Sequence, residues 1–90
     1  MSDRRYERRV PKTEIVDLHW QDKTGAKAEM PARLFDVSLS GACLVINNPV
    51  RVASLVRFAC QGRDRTASVR HCKRAPDGYI IGVEFEDTLA

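Results

Sequence analysis

What the chain lacks narrows its identity first. No stretch approaches the roughly 18 consecutive apolar residues of a membrane-spanning helix. No apolar segment follows the N-terminal charges as a secretory signal requires. Both absences predict a soluble, cytoplasmic protein. Aromatic residues are scarce, at 7% of the chain, which leaves few platforms for stacking bases. Cysteine is confined to Cys43, Cys60 and Cys72. An odd number at unpatterned spacing predicts small buried hydrophobes in a reducing compartment rather than a disulfide framework. Neither CxxC nor HxxxH spacing occurs, and the neighbours His71 and Cys72 point to opposite faces of a strand, so no metal site is expected. Ser38 has no evident histidine partner and no paired carboxylates suggest a cleft, so no enzyme is expected. No window of about ten residues shows a helical period.

What is present fits one small domain. The chain has 90 residues, 43% hydrophobic and 30% charged, enough apolar content for one compact core. The net charge of +3 is modest; its placement matters more. Arg4, Arg5, Arg8, Arg9 and Lys12 all fall within residues 1–12. That stretch has no apolar periodicity and reads as a flexible basic N-terminal arm, able to attract a polyanion or a phosphorylated ligand. Residues 13–90 read as the folded body.

The body reads as strands and turns. Val16, Leu18 and Trp20 alternate with Asp17 and His19, which predicts a strand over Thr13–Trp20. A polar loop around Gly25 leads to a second strand over Ala28–Asp36. Its apolar phase runs on even positions through Leu34, then switches to Phe35 and Val37, as a β-bulge produces. Pro31 inside it calls for an edge position or a bulge. Ala42–Ile46 is nearly all apolar, Leu55–Cys60 alternates, and Thr66–Lys73 and Tyr79–Phe85 complete the set. Turns are marked by Asn47-Asn48-Pro49, Gln61-Gly62-Arg63-Asp64 and Ala75-Pro76-Asp77-Gly78. About six short strands at regular spacing predict an all-β antiparallel barrel or sandwich with little helix.

Two stretches carry the chemistry. In Asp36-Val37-Ser38-Leu39-Ser40-Gly41, Asp36 and Ser38 are alternate residues whose side chains share a face in extended backbone. Ser40-Gly41 is a turn signal, with Gly41 free to take positive φ. This is an acceptor ledge suited to the N1–H and N2–H₂ edge of guanine. The arginines are all donor and match phosphate oxygens and guanine O6/N7. Together they suggest a guanine nucleotide.

On these residues the chain resembles the PilZ-domain family, whose members bind cyclic di-GMP. The family's [D/N]xSxxG motif is met by Asp36, Ser38 and Gly41. Its RxxxR motif is met in two registers, Arg4/Arg8 and Arg5/Arg9; the fuller RRxxxR form fits Arg4, Arg5 and Arg9, followed by Val10-Pro11. Tyr79-Ile80-Ile81-Gly82-Val83-Glu84-Phe85 resembles the closing strand. The resemblance covers nearly the whole chain and implies a six-stranded antiparallel PilZ-type β-barrel. It implies a cyclic di-GMP site made of Arg4, Arg5, Arg9, Asp36, Ser38 and Gly41, with Arg8 as the alternative register. It further implies a bacterial second-messenger receptor acting on a protein partner, in motility or biofilm regulation. Asp87-Thr88-Leu89-Ala90 leaves no room for the long helix many members carry after the last strand, so the barrel mouth is expected to be open or covered by a partner. The competing reading is a small basic barrel that binds RNA or single-stranded DNA, with Trp20, Phe58 or Tyr79 as stacking platforms.

Overall fold

The computed structural model describes residues 10–22 and 24–86. Six strands follow one another: β1 (Val10–Gln21), β2 (Lys27–Val37), β3 (Gly41–Ile46), β4 (Leu55–Cys60), β5 (Arg63–Ala75) and β6 (Gly78–Phe85). All neighbours are antiparallel, and the sheet closes in the order β1-β2-β3-β6-β5-β4. The expected all-β antiparallel barrel is therefore what forms, and no helix occurs among the described residues. None of them forms a helix long and apolar enough to cross a membrane.

Alternation explains the barrel interior. Val16 and Leu18 of β1, Met30, Ala32 and Leu34 of β2, and Val56, Phe58 and Cys60 of β4 are buried, while their sequence neighbours face outward. Each large side chain moved from water to the core contributes roughly 1.5–3 kcal/mol. Phe58 and Phe85 meet with ring centroids 6.3 Å apart, tilted by 41°, a favoured aromatic geometry. The Arg65 guanidinium lies 3.7 Å above the Phe85 ring and covers that end of the core. Ala42, Leu44 and Ile46 of the apolar strand β3 point inward, and its other face is only half-covered. No disulfide joins the three cysteines, of which Cys60 is buried and Cys43 and Cys72 are half-buried.

The strand ends differ from the sequence reading in instructive ways. Strand β1 starts at Val10, with Val10 opposite Val37 and Pro11 opposite Asp36; it begins inside the stretch read as an arm, because Val10-Pro11-Lys12 has no alternation to reveal it. Strand β5 begins at Arg63 rather than Thr66, since the loop before it is Gln61-Gly62 alone. Both loop residues have positive φ, 55° and 78°, the signature of a two-residue type I′ hairpin. Pro31 uses the edge solution. Strand β2 pairs with β3 only from Arg33 onward, so Pro31 lies past that pairing, where a missing N–H is tolerated.

Three register shifts fall in this sheet: between Pro11 and Glu14 of β1, Leu34 and Asp36 of β2, and Val69 and His71 of β5. In β2 the extra residue is Phe35, where the apolar phase switches. Closure is narrow. Strands β1 and β4 are joined at His19 opposite Arg57 and Trp20 opposite Val56.

Candidate functional site

Strand β2 delivers the motif to one end of the barrel. The Phe35 bulge resets the phase, so that Val37 turns into the core while Asp36 stands half-exposed on the outside. The chain then reverses in a tight turn over Ser38–Gly41. The Ser38 backbone N–H donates to the Gly41 carbonyl at 2.8 Å, and the Ser38 hydroxyl reaches the same carbonyl at 3.3 Å. The Phe85 N–H donates to the Ser40 carbonyl at 2.8 Å, which ties the turn to β6.

Ser38 is therefore not a fully presented ledge. It is 7% exposed, and its hydroxyl is turned to its own turn. The accessible partner is Asp36. Gly41 also has a different reason from the one expected. It is not among the residues with positive φ. Instead a Cβ at this position would stand 2.2 Å from the Val83 carbonyl oxygen on β6, so glycine is needed for close strand approach rather than for turn conformation.

Beside the turn, β3, β6 and β5 form the floor of a solvent-open cleft of about 330 Å³, lined by Ser38, Ser40, Gly41, Arg70, Gly82 and Glu84 among others. Arg70 and Glu84 pair across it, Nε to Oε1 3.2 Å, with both side chains more than half exposed. An exposed pair of this kind is worth about 0–1 kcal/mol, so either group can turn to a ligand at small cost. Arg70 is a guanidinium donor that the sequence reading placed outside the site. Its position follows from the β5 bulge, which leaves Arg70 and His71 both exposed. A signal for that bulge exists in the sequence: the apolar phase passes from Ala67 and Val69 to Cys72, which packs against the core, the same switch that marks Phe35.

Arg4, Arg5, Arg8 and Arg9 lie outside the described residues. The backbone register does say where the chain goes as it leaves Arg9: Val10 and Pro11 lie opposite Val37 and Asp36. The structure thus brings Asp36, Ser38 and Gly41 together at the end of the barrel where residue 10 enters.

A larger cleft, about 810 Å³, lies by Trp20, Lys27, Glu29 and Leu55 at the other end of β2 and holds none of the motif residues. Its aromatic content is slight. Phe58, one of the stacking platforms required by the nucleic-acid reading, is only 1% exposed and cannot meet a base. Trp20 and Tyr79 are partly buried against the core.

No relative among curated proteins matches the sequence. Among solved structures, the chain is similar to YcgR from Escherichia coli, crystallised in complex with c-di-GMP, with a TM-score of 0.66 at 13% identity. That match covers 93% of this chain and 38% of YcgR, so the chain spans well under half of that protein. A likeness at this identity speaks for the fold. The family assignment comes from the sequence: the PilZ domain model matches residues 2–90, the motif Asp36-x-Ser38-x-x-Gly41 sits at the end of β2 of a six-stranded barrel, and the chain belongs to the PilZ domain family.

Proposed function

We propose that this chain is a cyclic di-GMP receptor, a non-catalytic binding module of second-messenger signalling. The observation that carries the reading is the β1–β2 register, in which Pro11, two residues after Arg9, lies opposite Asp36. The arginine-bearing segment is thereby tethered at the end of the barrel where the Asp36 carboxylate stands half-exposed. Cyclic di-GMP presents complementary groups: two phosphates that accept, and a guanine edge that donates. The family membership and the c-di-GMP held by YcgR support the same ligand.

In this reading Arg5 and Arg9, with Arg4 assisting, donate to phosphates and to guanine O6/N7. Arg8 takes this role if the Arg4/Arg8 register is the working one. Asp36 accepts from guanine N1–H and N2–H₂. Ser38 and Gly41 hold the turn that aims Asp36. Binding draws residues 1–9 against the barrel face, and the altered surface is what a protein partner reads.

Calorimetric titration with cyclic di-GMP tests this. A charge-assisted hydrogen bond is worth about 1.5–3 kcal/mol and about 1.4 kcal/mol is tenfold in affinity, so Arg9→Ala weakens binding roughly 10- to 100-fold. Asp36→Ala also weakens it, although it removes a negative charge near an anion. A basic nucleic-acid binder responds the other way, binding as well or better when Asp36 is neutralised. A folded Asp36→Ala that binds cyclic di-GMP like the parent removes Asp36 from the site. A parent that binds mixed oligonucleotides and not cyclic di-GMP overturns the receptor reading.

A further inference from the structure

The cleft floor contains an arrangement that the motif residues do not account for. His71 is exposed on β5, opposite Gly82 of β6. A Cβ added at Gly82 would lie 2.1 Å from His71 Nε2, 2.6 Å from Cε1 and 2.8 Å from Cδ2. A point at the same distance in the ring plane beyond Nε2 would be farther from both carbons. The three distances therefore place Gly82 beneath one face of the imidazole, near its Nε2 tip. The ring lies on the sheet, in the space a side chain at 82 would fill. Since His71 is exposed, its opposite face is turned away from the sheet.

Two features make this more than a resting side chain. The β5 bulge brings Arg70 and His71, consecutive residues, both to the outside; a regular strand would have turned one of them inward. Bulges re-aim side chains in this way beside functional sites. The ring also lies in the cleft that Ser38, Arg70 and Glu84 line. A flat π-face supported from below, in one cleft with a guanidinium and a carboxylate, fits a purine base: the face stacks, Arg70 meets the O6/N7 edge, and Glu84 can accept from the donor edge.

We infer that His71, laid on Gly82, is a stacking platform for a guanine of the bound nucleotide and a specificity-determining residue of the site. This rests on the receptor reading above and adds to it a residue outside both motifs. Gly82 is the positioning residue: it makes room for the ring to lie flat.

The test is cyclic di-GMP titration of the full chain, with thermal unfolding of every variant. Base stacking removed by alanine weakens affinity by fivefold or more, so His71→Ala binds about tenfold more weakly with its Tm unchanged, as for an exposed side chain. His71→Phe keeps the π-face and restores most of the affinity; His71→Leu, apolar without a π-system, does not. Gly82→Ala displaces the ring, whose flexible end can move aside, and weakens binding in the parent but adds little in the His71→Ala background. In proton NMR, the His71 ring signals move upfield on titration as a purine stacks over them. His71→Ala binding like the parent, while Arg9→Ala and Asp36→Ala still weaken binding, overturns the platform and leaves the receptor intact. Absence of cyclic di-GMP binding by the parent overturns both.

Discussion

Gly41→Ala isolates the reason for glycine in the motif. A Cβ there would lie 2.2 Å from the Val83 carbonyl oxygen, about 0.8 Å inside the 3.0 Å that real Cβ atoms respect, and 3.4 Å from Glu84 Cα. The obstacle is backbone, which cannot rotate away. Strand β3 must recede from β6, yet β6 pairs with β3 along its whole length from Gly41 to Ile46. Overpacking of this kind costs roughly 1–3 kcal/mol. The recession also stretches the Phe85 N–H to Ser40 carbonyl bond, now 2.8 Å, for a further ~0.5–1.5 kcal/mol. The sum is about 2–4 kcal/mol, a large part of the stability of so small a domain, and lowers Tm by roughly 8–32 °C at about 4–8 °C per kcal/mol. Differential scanning calorimetry reads this directly. Asparagine separates the two possible causes. At Gly25, with φ of +88° and open space around it, Asn is better tolerated than Ala because it accepts the left-handed conformation. At Gly41, Asn is worse than Ala because it is larger. A Gly41→Ala protein melting within about 3 °C of the parent, or rescued by Asn, refutes the close-approach argument and restores turn conformation as the reason.

Two further outcomes follow from the packing and the polar loop. Phe58→Ala, at a side chain 1% exposed and packed at a tilt against Phe85, costs about 3–5 kcal/mol; chemical denaturation then shows a midpoint shifted close to zero denaturant. In the β1–β2 loop, hydrogen bonds from the Thr24 hydroxyl at 2.6 Å and from the Thr24 and Ala26 N–H groups hold the Asp22 carboxyl below its ordinary value. A lowered folded-state pKa stabilises the fold above the ordinary value of 3.8 and is lost as pH falls through the folded value. Asp22→Asn therefore flattens the acid side of a Tm-against-pH curve below about pH 4 and leaves the neutral region nearly level.

Much of this protein is determined by local pattern. Strand identity is legible because alternation reports one buried face, as Val56, Phe58 and Cys60 show. The Phe35 bulge is legible too, since a phase switch within one strand has no other regular explanation. The acceptor motif of Asp36, Ser38 and Gly41 and the arginine run are visible as residues, because donor and acceptor chemistry belongs to side-chain type. What those residues do to one another is decided by contacts between strands distant in the chain. Pairing of β3 with β6 gives Gly41 its neighbour at Val83 and so its need to be glycine. The Ser38 hydroxyl is drawn to a carbonyl by the turn, leaving Asp36 as the accessible partner. The second bulge carries Arg70 and His71 outward together, and only the pairing of β5 with β6 lays the imidazole over Gly82. Sequence periodicity specifies which face of a strand is wet; which wet faces become neighbours depends on barrel order and register, and these are set by long-range pairing.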